Sequence, residues 1–207
     1  MHRFATVLGV VATLVTLACG GVVLASGHPD RGAPREAPWQ VVTGPAGSFE
    51  VPPRSSGWTV REPEQVVYYA DPLVGVTGPA VLDDGYCDQA TGASNRGFAG
   101  LTGPRRGSVW QVNRREAHRW GTAVAGRPMA AGRTTRLVLS DGSVAVHSHA
   151  VVRLSAAGPC QPERVALDLV SVVGPAGVVT LVVVRDLGPG AAPATVVDRL
   201  LRSLRAR

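Results

Sequence analysis

Thr134–Ser155 reads TTRLVLSDGSVAVHSHAVVRLS, two extended runs rich in β-branched residues joined by Asp141-Gly142. Asp-Gly between alternating hydrophobics is a strong hairpin signal, because the tight turn needs the positive φ that these residues tolerate. The reading fixes an antiparallel pair and, through the period of two along a strand, assigns its faces. Val144, Val146, Ala150, Val152 and Leu154 share one face with Ser148 among them, while His147, His149 and Arg153 lie on the other.

Outward from that hairpin, Arg164–Val173 and Val178–Arg185 flank Gly174-Pro175-Ala176-Gly177 as a second antiparallel pair. Leu181-Val182-Val183-Val184 is apolar on both faces, as a covered central strand would be. Upstream, Ser48–Val51, Trp58–Val60, Val66–Tyr69 and Gly78–Leu82 read as short strands, with Pro52-Pro53, Ser55-Ser56-Gly57 and Asp83-Asp84-Gly85 as stops and turns. Ser108–Ala125 switches to helical spacing, with Ser108 and Gln111 as a capping box and Gly126-Arg127-Pro128 as its end. Its apolar stripe is read as Trp110, Ala117, Trp120 or Gly121, and Val124, leaving Glu116 and the arginines off it. Thr195–Arg205 is a second amphipathic helix, capped by Thr195 and Asp198, with Val197, Leu200, Leu201 and Leu204 on one side. The fold class is therefore α+β: a mostly antiparallel sheet with one internal and one C-terminal helix, preceded by an N-terminal transmembrane or signal helix.

Phe4–Ser26 is uncharged and long enough for a spanning helix, which needs about 20 residues. A signal-anchor over residues 1–26 is the expectation. Cleavage after Val23-Leu24-Ala25, or lipidation of Cys19, are the competing fates. A Pro/Gly-rich linker over 27–47 then leads to an extracytoplasmic domain over 48–207, with Trp39–Val42 a possible first strand docking on it. The expected location is the cell membrane, single-pass, with the domain outside. Cys87 and Cys160 lie on that oxidising side, which calls for a disulfide, with a free pair or a metal site as alternatives.

The formal charge is +6, and all 21 basic residues are arginine. Such one-sided usage follows from a GC-rich coding background, so charge alone names no partner. Arg105, Arg106, Arg114, Arg115 and Arg119 nevertheless crowd one stretch and form a candidate anion-binding patch for lipid headgroups or wall polymer. His147 and His149 at i, i+2 on a strand point the same way and form a candidate metal pair, with His118 or a carboxylate as third ligand. Asp83-Asp84 is a carboxylate pair or a solvated turn. Trp58, Trp110 and Trp120 are sugar-ring platforms or core. No Gly-x-Ser-x-Gly elbow or reactive-cysteine setting occurs, and nothing calls for a cofactor.

Gly57-Trp58-Thr59-Val60, Asp83–Cys87, Arg96-Gly97-Phe98-Ala99-Gly100, Ala117-His118-Arg119-Trp120, Cys160-Gln161-Pro162 and the closing Val197–Leu204 helix together resemble a class of uncharacterised actinobacterial membrane-anchored proteins. The plan of an early Gly-Trp, a sheet and a final amphipathic helix also looks like the PsbP/Mog1-like fold. The resemblance implies an α+β fold with a disulfide and brings no activity. The expected function is a membrane-tethered binding module of the envelope. Its partners would be the membrane through the N-terminal helix, an anionic polymer, lipid headgroups or another envelope protein, and not nucleic acid. The rivals are an envelope hydrolase or metal-dependent enzyme, which clustering of His147, His149, Asp83 and Asp84 would favour, and a carrier of an apolar ligand.

Overall fold

The computed structural model describes residues 37–70, 73–88, 94–130, 132–154 and 160–207. Strand β10 (Gly177–Asp186) runs through the middle of an antiparallel sheet, between β6 (Gly97–Arg105) and β9 (Arg164–Gly174). β9 continues to β8 (Val144–Arg153) and β7 (Arg133–Val138). On the other flank, β6 pairs with β5 (Leu73–Leu82), whose outer edge carries β3 (Trp58–Val60) and β4 (Val66–Ala70) in turn. A second, three-stranded sheet joins β1 (Gln40–Gly44), β2 (Gly47–Val51) and β11 (Arg205–Ala206).

The central strand is apolar throughout because both its faces are covered. Helix α1 (Val109–Ala125) lays Ala117, Trp120 and Val124 on one face, against Phe98, Leu167 and Val182. On the other face the small sheet and helix α2 (Ala194–Arg202) bring Phe49, Val51, Leu200 and Leu204 onto Leu101, Val170 and Leu181. Each of the larger of these side chains contributes about 1.5–3 kcal/mol on leaving water. Fold class and hairpin thus match the sequence reading, with Asp141-Gly142 turning between β7 and β8.

Helix α1 starts where the capping box places it. Ser108 Oγ accepts from the Gln111 N–H at 3.3 Å and Gln111 Oε1 accepts from the Ser108 N–H at 3.4 Å. Gly126 ends it at φ 63°, a left-handed turn that glycine adopts without a Cβ clash. Its buried stripe differs from the expected one. Val112, Asn113, Glu116, Ala117, Trp120, Gly121 and Val124 face the sheet, while Trp110 is 39% exposed. Polar residues hold two core positions because each finds a partner there. Asn113 donates to Val146 O at 3.0 Å, Leu169 O at 3.2 Å and Ser171 Oγ at 3.0 Å, and accepts from Ser148 Oγ. Ser148 in turn meets Thr134 Oγ1 at 2.9 Å, and Ser171 meets Thr180 Oγ1 at 2.8 Å. One buried polar chain therefore ties α1 to β7, β8, β9 and β10.

β1 is the first strand read at Trp39–Val42, inside the stretch otherwise assigned to the linker, and it docks because Val42 has a buried place in the core beside Phe49. β6 had no counterpart in the sequence reading. α2 ends at Arg202 and starts at Pro193 without a side-chain cap; Asp198 pairs with Arg202 at 2.8 Å instead, and the chain turns into β11. The anchor or signal reading of Phe4–Ser26 lies outside the described residues. Among the described residues no helix is long and apolar enough to cross a membrane.

Candidate functional site

Strand register brings the two candidate histidines onto one carboxylate. His149 on β8 stands opposite Asp168 on β9, and His147 is two residues along the same face. His147 Nε2 lies 2.9 Å and His149 Nδ1 2.8 Å from the same oxygen, Asp168 Oδ1. Arg185 Nε approaches the other oxygen at 3.9 Å from β10. Asp168 is 3% exposed. Burial alone would raise its carboxyl, but the histidine hydrogen bonds and charges outweigh that and hold it below the usual range. Stability from this cluster is therefore present above the ordinary Asp range and lost as pH falls through the lowered value.

The ring nitrogens that face each other are thus spent on Asp168. Of the third ligands expected for a metal, His118 sits on α1 across the sheet, its Nδ1 2.7 Å from Met129 O, and the carboxylate that does reach the pair, Asp168, meets both rings by hydrogen bonds. Asp83 pairs with Arg96 at 3.4 Å and Asp84 with Arg61, so neither joins the histidines. Among the described residues no group of three or more His, Cys, Asp or Glu side chains could hold a metal ion.

The face that carries Asp168 is basic. Arg133 is opposite His149, and Arg153 opposite Arg164, so both pairs point to this side. Arg133, Arg153 and Arg164 are exposed, Arg185 is half-buried, and Asp168 is the only acid among the β7–β10 positions sharing the face. Its other end is closed by α2 and the small sheet; this end leaves His149 and Val151 open to solvent.

The arginine patch expected around α1 divides in two. Arg114 and Arg115 stand with Trp110 and His118 around a shallow outer groove, and Arg106 is exposed beside the helix start. Arg105 and Arg119 turn the other way, to buried Glu116, with Nε and Nη1 at 3.7 and 3.5 Å from Glu116 Oε1. They line a cleft of about 490 Å³ against Val66, Tyr68 and Leu73. Of the tryptophans, Trp58 and Trp120 are 2% and 0% exposed, which removes them as sugar platforms.

Cys87 and Cys160 form a disulfide with Cα atoms 5.7 Å apart, linking the β5–β6 connection to the approach to β9. Tyr86 OH donates to Cys160 O beside it, and the Arg96 guanidinium lies 4.5 Å from the Tyr86 ring centroid. On the α1 face of the same end, burial pushes the Asp186 carboxyl up to about 6 against the pull of Arg96. Burial and then Asp186 raise Tyr69 as well. The folded state holds a proton on Asp186 that the unfolded state has released, so stability falls as pH rises from about 4 to 6 and levels off above. Asp186→Asn is expected to remove this slope and stabilise the protein by about 1–2 kcal/mol at pH 7. Urea titrations at pH 4.5 and 7 measure it; a variant less stable than wild type at pH 7 would contradict the assignment.

Asp168, Arg185 and Glu116 were not singled out in the sequence. The signal for Asp168 was available, as the lone charge in the run Val165–Val173, whose other polar residue is Ser171. Residues 32–207 match a family described as a domain of unknown function, DUF8017. No curated protein matches the chain.

Proposed function

The chain belongs to this family of unknown function, and we propose that it is a binding module of the cell envelope, tethered by its N-terminal segment and presenting the domain outside. Its ligand is an anionic polymer or headgroup surface held on the basic end of the sheet. One observation carries the reading: Arg133, Arg153, Arg164 and Arg185 share a face with two carboxylate-anchored histidines on four adjacent strands, with Asp168 as the only acid among the described strand positions of that face. The sheet sets the spacing of the backbone positions from which these cations rise, which suits a repeating anion. The finer identification with an actinobacterial envelope family belongs to this proposal, as does membrane location. The disulfide supports the second, since such bonds persist in oxidising compartments outside the cytosol.

The test is retention of the full-length protein by long-chain polyphosphate and by phosphatidylglycerol vesicles at two salt concentrations. R133Q/R153Q/R164Q is expected to weaken retention about tenfold at low salt, with the loss fading at high salt. R114Q/R115Q on the outer face of α1 is expected to leave it unchanged. Equal loss in both triple and double variants would show non-specific charge attraction and sink the reading. Preference for polymer over vesicles, or the reverse, identifies the source of the anion.

A further inference from the structure

The cleft beside α1 lies where the large sheet comes apart. β5 and β6 are paired from Leu82↔Gly97 to Thr77↔Leu101, and Thr77 Oγ1 donates to Leu101 O at 3.3 Å at the point of separation. Beyond it, among the described residues, Leu73–Val76 of β5 pair with β4 alone, while Thr102 and Arg105 of β6 pair with β10 alone. Two strand edges thus face each other across a gap with no strand between them.

The lining of the gap is as specific as its backbone. Val66, Tyr68 and Leu73 are 51%, 63% and 67% exposed, an apolar cluster that nothing in the described fold covers. The opposite wall carries Arg105 and Arg119, both loosely held by Glu116 at distances beyond the roughly 2.7–2.9 Å of a charge-assisted hydrogen bond. Arg119 Nη2 also donates to Leu73 O at 2.9 Å, which fixes its guanidinium against β5. Two guanidiniums against one carboxylate leave one positive charge unmatched, and each fork keeps donors free.

We infer that this gap receives an extended peptide segment of a partner chain, inserted as a strand beside β5, with apolar side chains on Tyr68 and Leu73 and one carboxylate between Arg105 and Arg119. Strand addition takes its affinity from main-chain hydrogen bonds to an open edge and its specificity from side-chain pockets. The cleft offers both, with Leu73 O, which Arg119 already takes, as the one edge acceptor the peptide shares with that guanidinium. A small amphiphile would use the apolar wall and the arginines but would leave the strand edges unmatched. The carboxylate comes from the C-terminus of the partner or from an Asp or Glu side chain, and the test separates them.

Full-length protein in lipid nanodiscs is offered three random pentapeptide libraries. One has free C-terminal carboxylates and lacks Asp and Glu; one is amidated and carries a single Glu; one is amidated and lacks acids. The first or the second is expected to be retained about tenfold over the third, the value of one charge-assisted hydrogen-bond pair, and whichever leads identifies the carboxylate. Methylating alternate backbone nitrogens of a retained sequence is expected to weaken it about tenfold more, since main-chain pairing is lost. R105Q/R119Q is expected to abolish the preference for a carboxylate, while R114Q/R115Q keeps it. Equal retention of all three libraries, retention no greater than on empty nanodiscs, or binding indifferent to N-methylation would overturn the inference. These arms rest on wild-type protein and altered peptides, so a folding defect in a variant cannot imitate them.

Discussion

Replacing both Cys87 and Cys160 by serine is expected to lower the free energy of unfolding by about 4 kcal/mol. The two residues are 73 apart in sequence. Opening a loop of that length returns conformational entropy to the unfolded chain, and the chain-entropy relation gives about 4 kcal/mol for it. Against a usual total of about 5–15 kcal/mol, that is a large share. The loss also has a place. Cys87 follows the turn after β5, and Cys160 precedes β9, so the bond clamps the end of the sheet that carries Arg153, Arg164 and Arg185. Of the hydrogen bonds beside it, those between Ser94 Oγ and the Cys87 backbone lie within the β5–β6 connection, and Tyr86 OH to Cys160 O crosses to the other side. Urea titrations of the full-length protein, oxidised, reduced and as the double serine variant, measure the difference. Reduced wild type and the variant should agree, and a change below about 1 kcal/mol would show that folding does not draw on this bond.

Features set by neighbours in sequence were legible, and those set by register were not. The hairpin at Asp141-Gly142, the Ser108/Gln111 box and the Gly126 stop each depend on fewer than five residues, and each stands where the sequence puts it. Strand β6 was hidden by its own composition, GFAGLTGPR, which is poor in strand-forming residues. The fold explains the glycines. A Cβ on Gly100 would lie 2.6 Å from Val76 Cγ2, and one on Gly97 would lie 2.6 Å from Val184 O. The residues that disguise the strand are those that let its neighbours approach it. The histidine pair shows the same division. Strand parity places His147 and His149 on one side, but their meeting point, Asp168, follows from the β8–β9 register across 21 and 19 residues. The presence of Asn113 and Glu116 in the buried stripe of α1 has a cause of the same kind. A polar residue can occupy a core position when the fold supplies its partners: for Asn113 they lie on strands β8 and β9, and for Glu116 on β6 and on α1 itself.

Asn113→Asp is expected to be the most damaging single substitution of that kind, costing about 3–5 kcal/mol at pH 7. The amide is 0% exposed, and its Nδ2 gives its two protons to two backbone carbonyls and one hydroxyl. A carboxylate of the same shape has no proton to give and sets negative charge against Val146 O and Leu169 O, away from water. Asn113→Leu removes the donors without adding charge, leaving Ser148 and Ser171 short of a partner, and is expected to cost about 1–3 kcal/mol. The order of the two variants is therefore a test of what the amide does. The aspartate should bind a proton in the folded state more tightly than in the unfolded one, so its stability should rise as pH falls toward 4. At neutral pH it should be the worse variant and at pH 4 it should draw level with the leucine. Urea midpoints at pH 4.5 and 7.5 give both comparisons. If leucine is the worse at neutral pH, the site tolerates charge and the amide is not the donor the structure makes it. If both cost under about 0.5 kcal/mol, the polar chain from Thr134 to Thr180 does not hold α1 to the sheet, and the packing of Trp120 and Ala117 alone suffices.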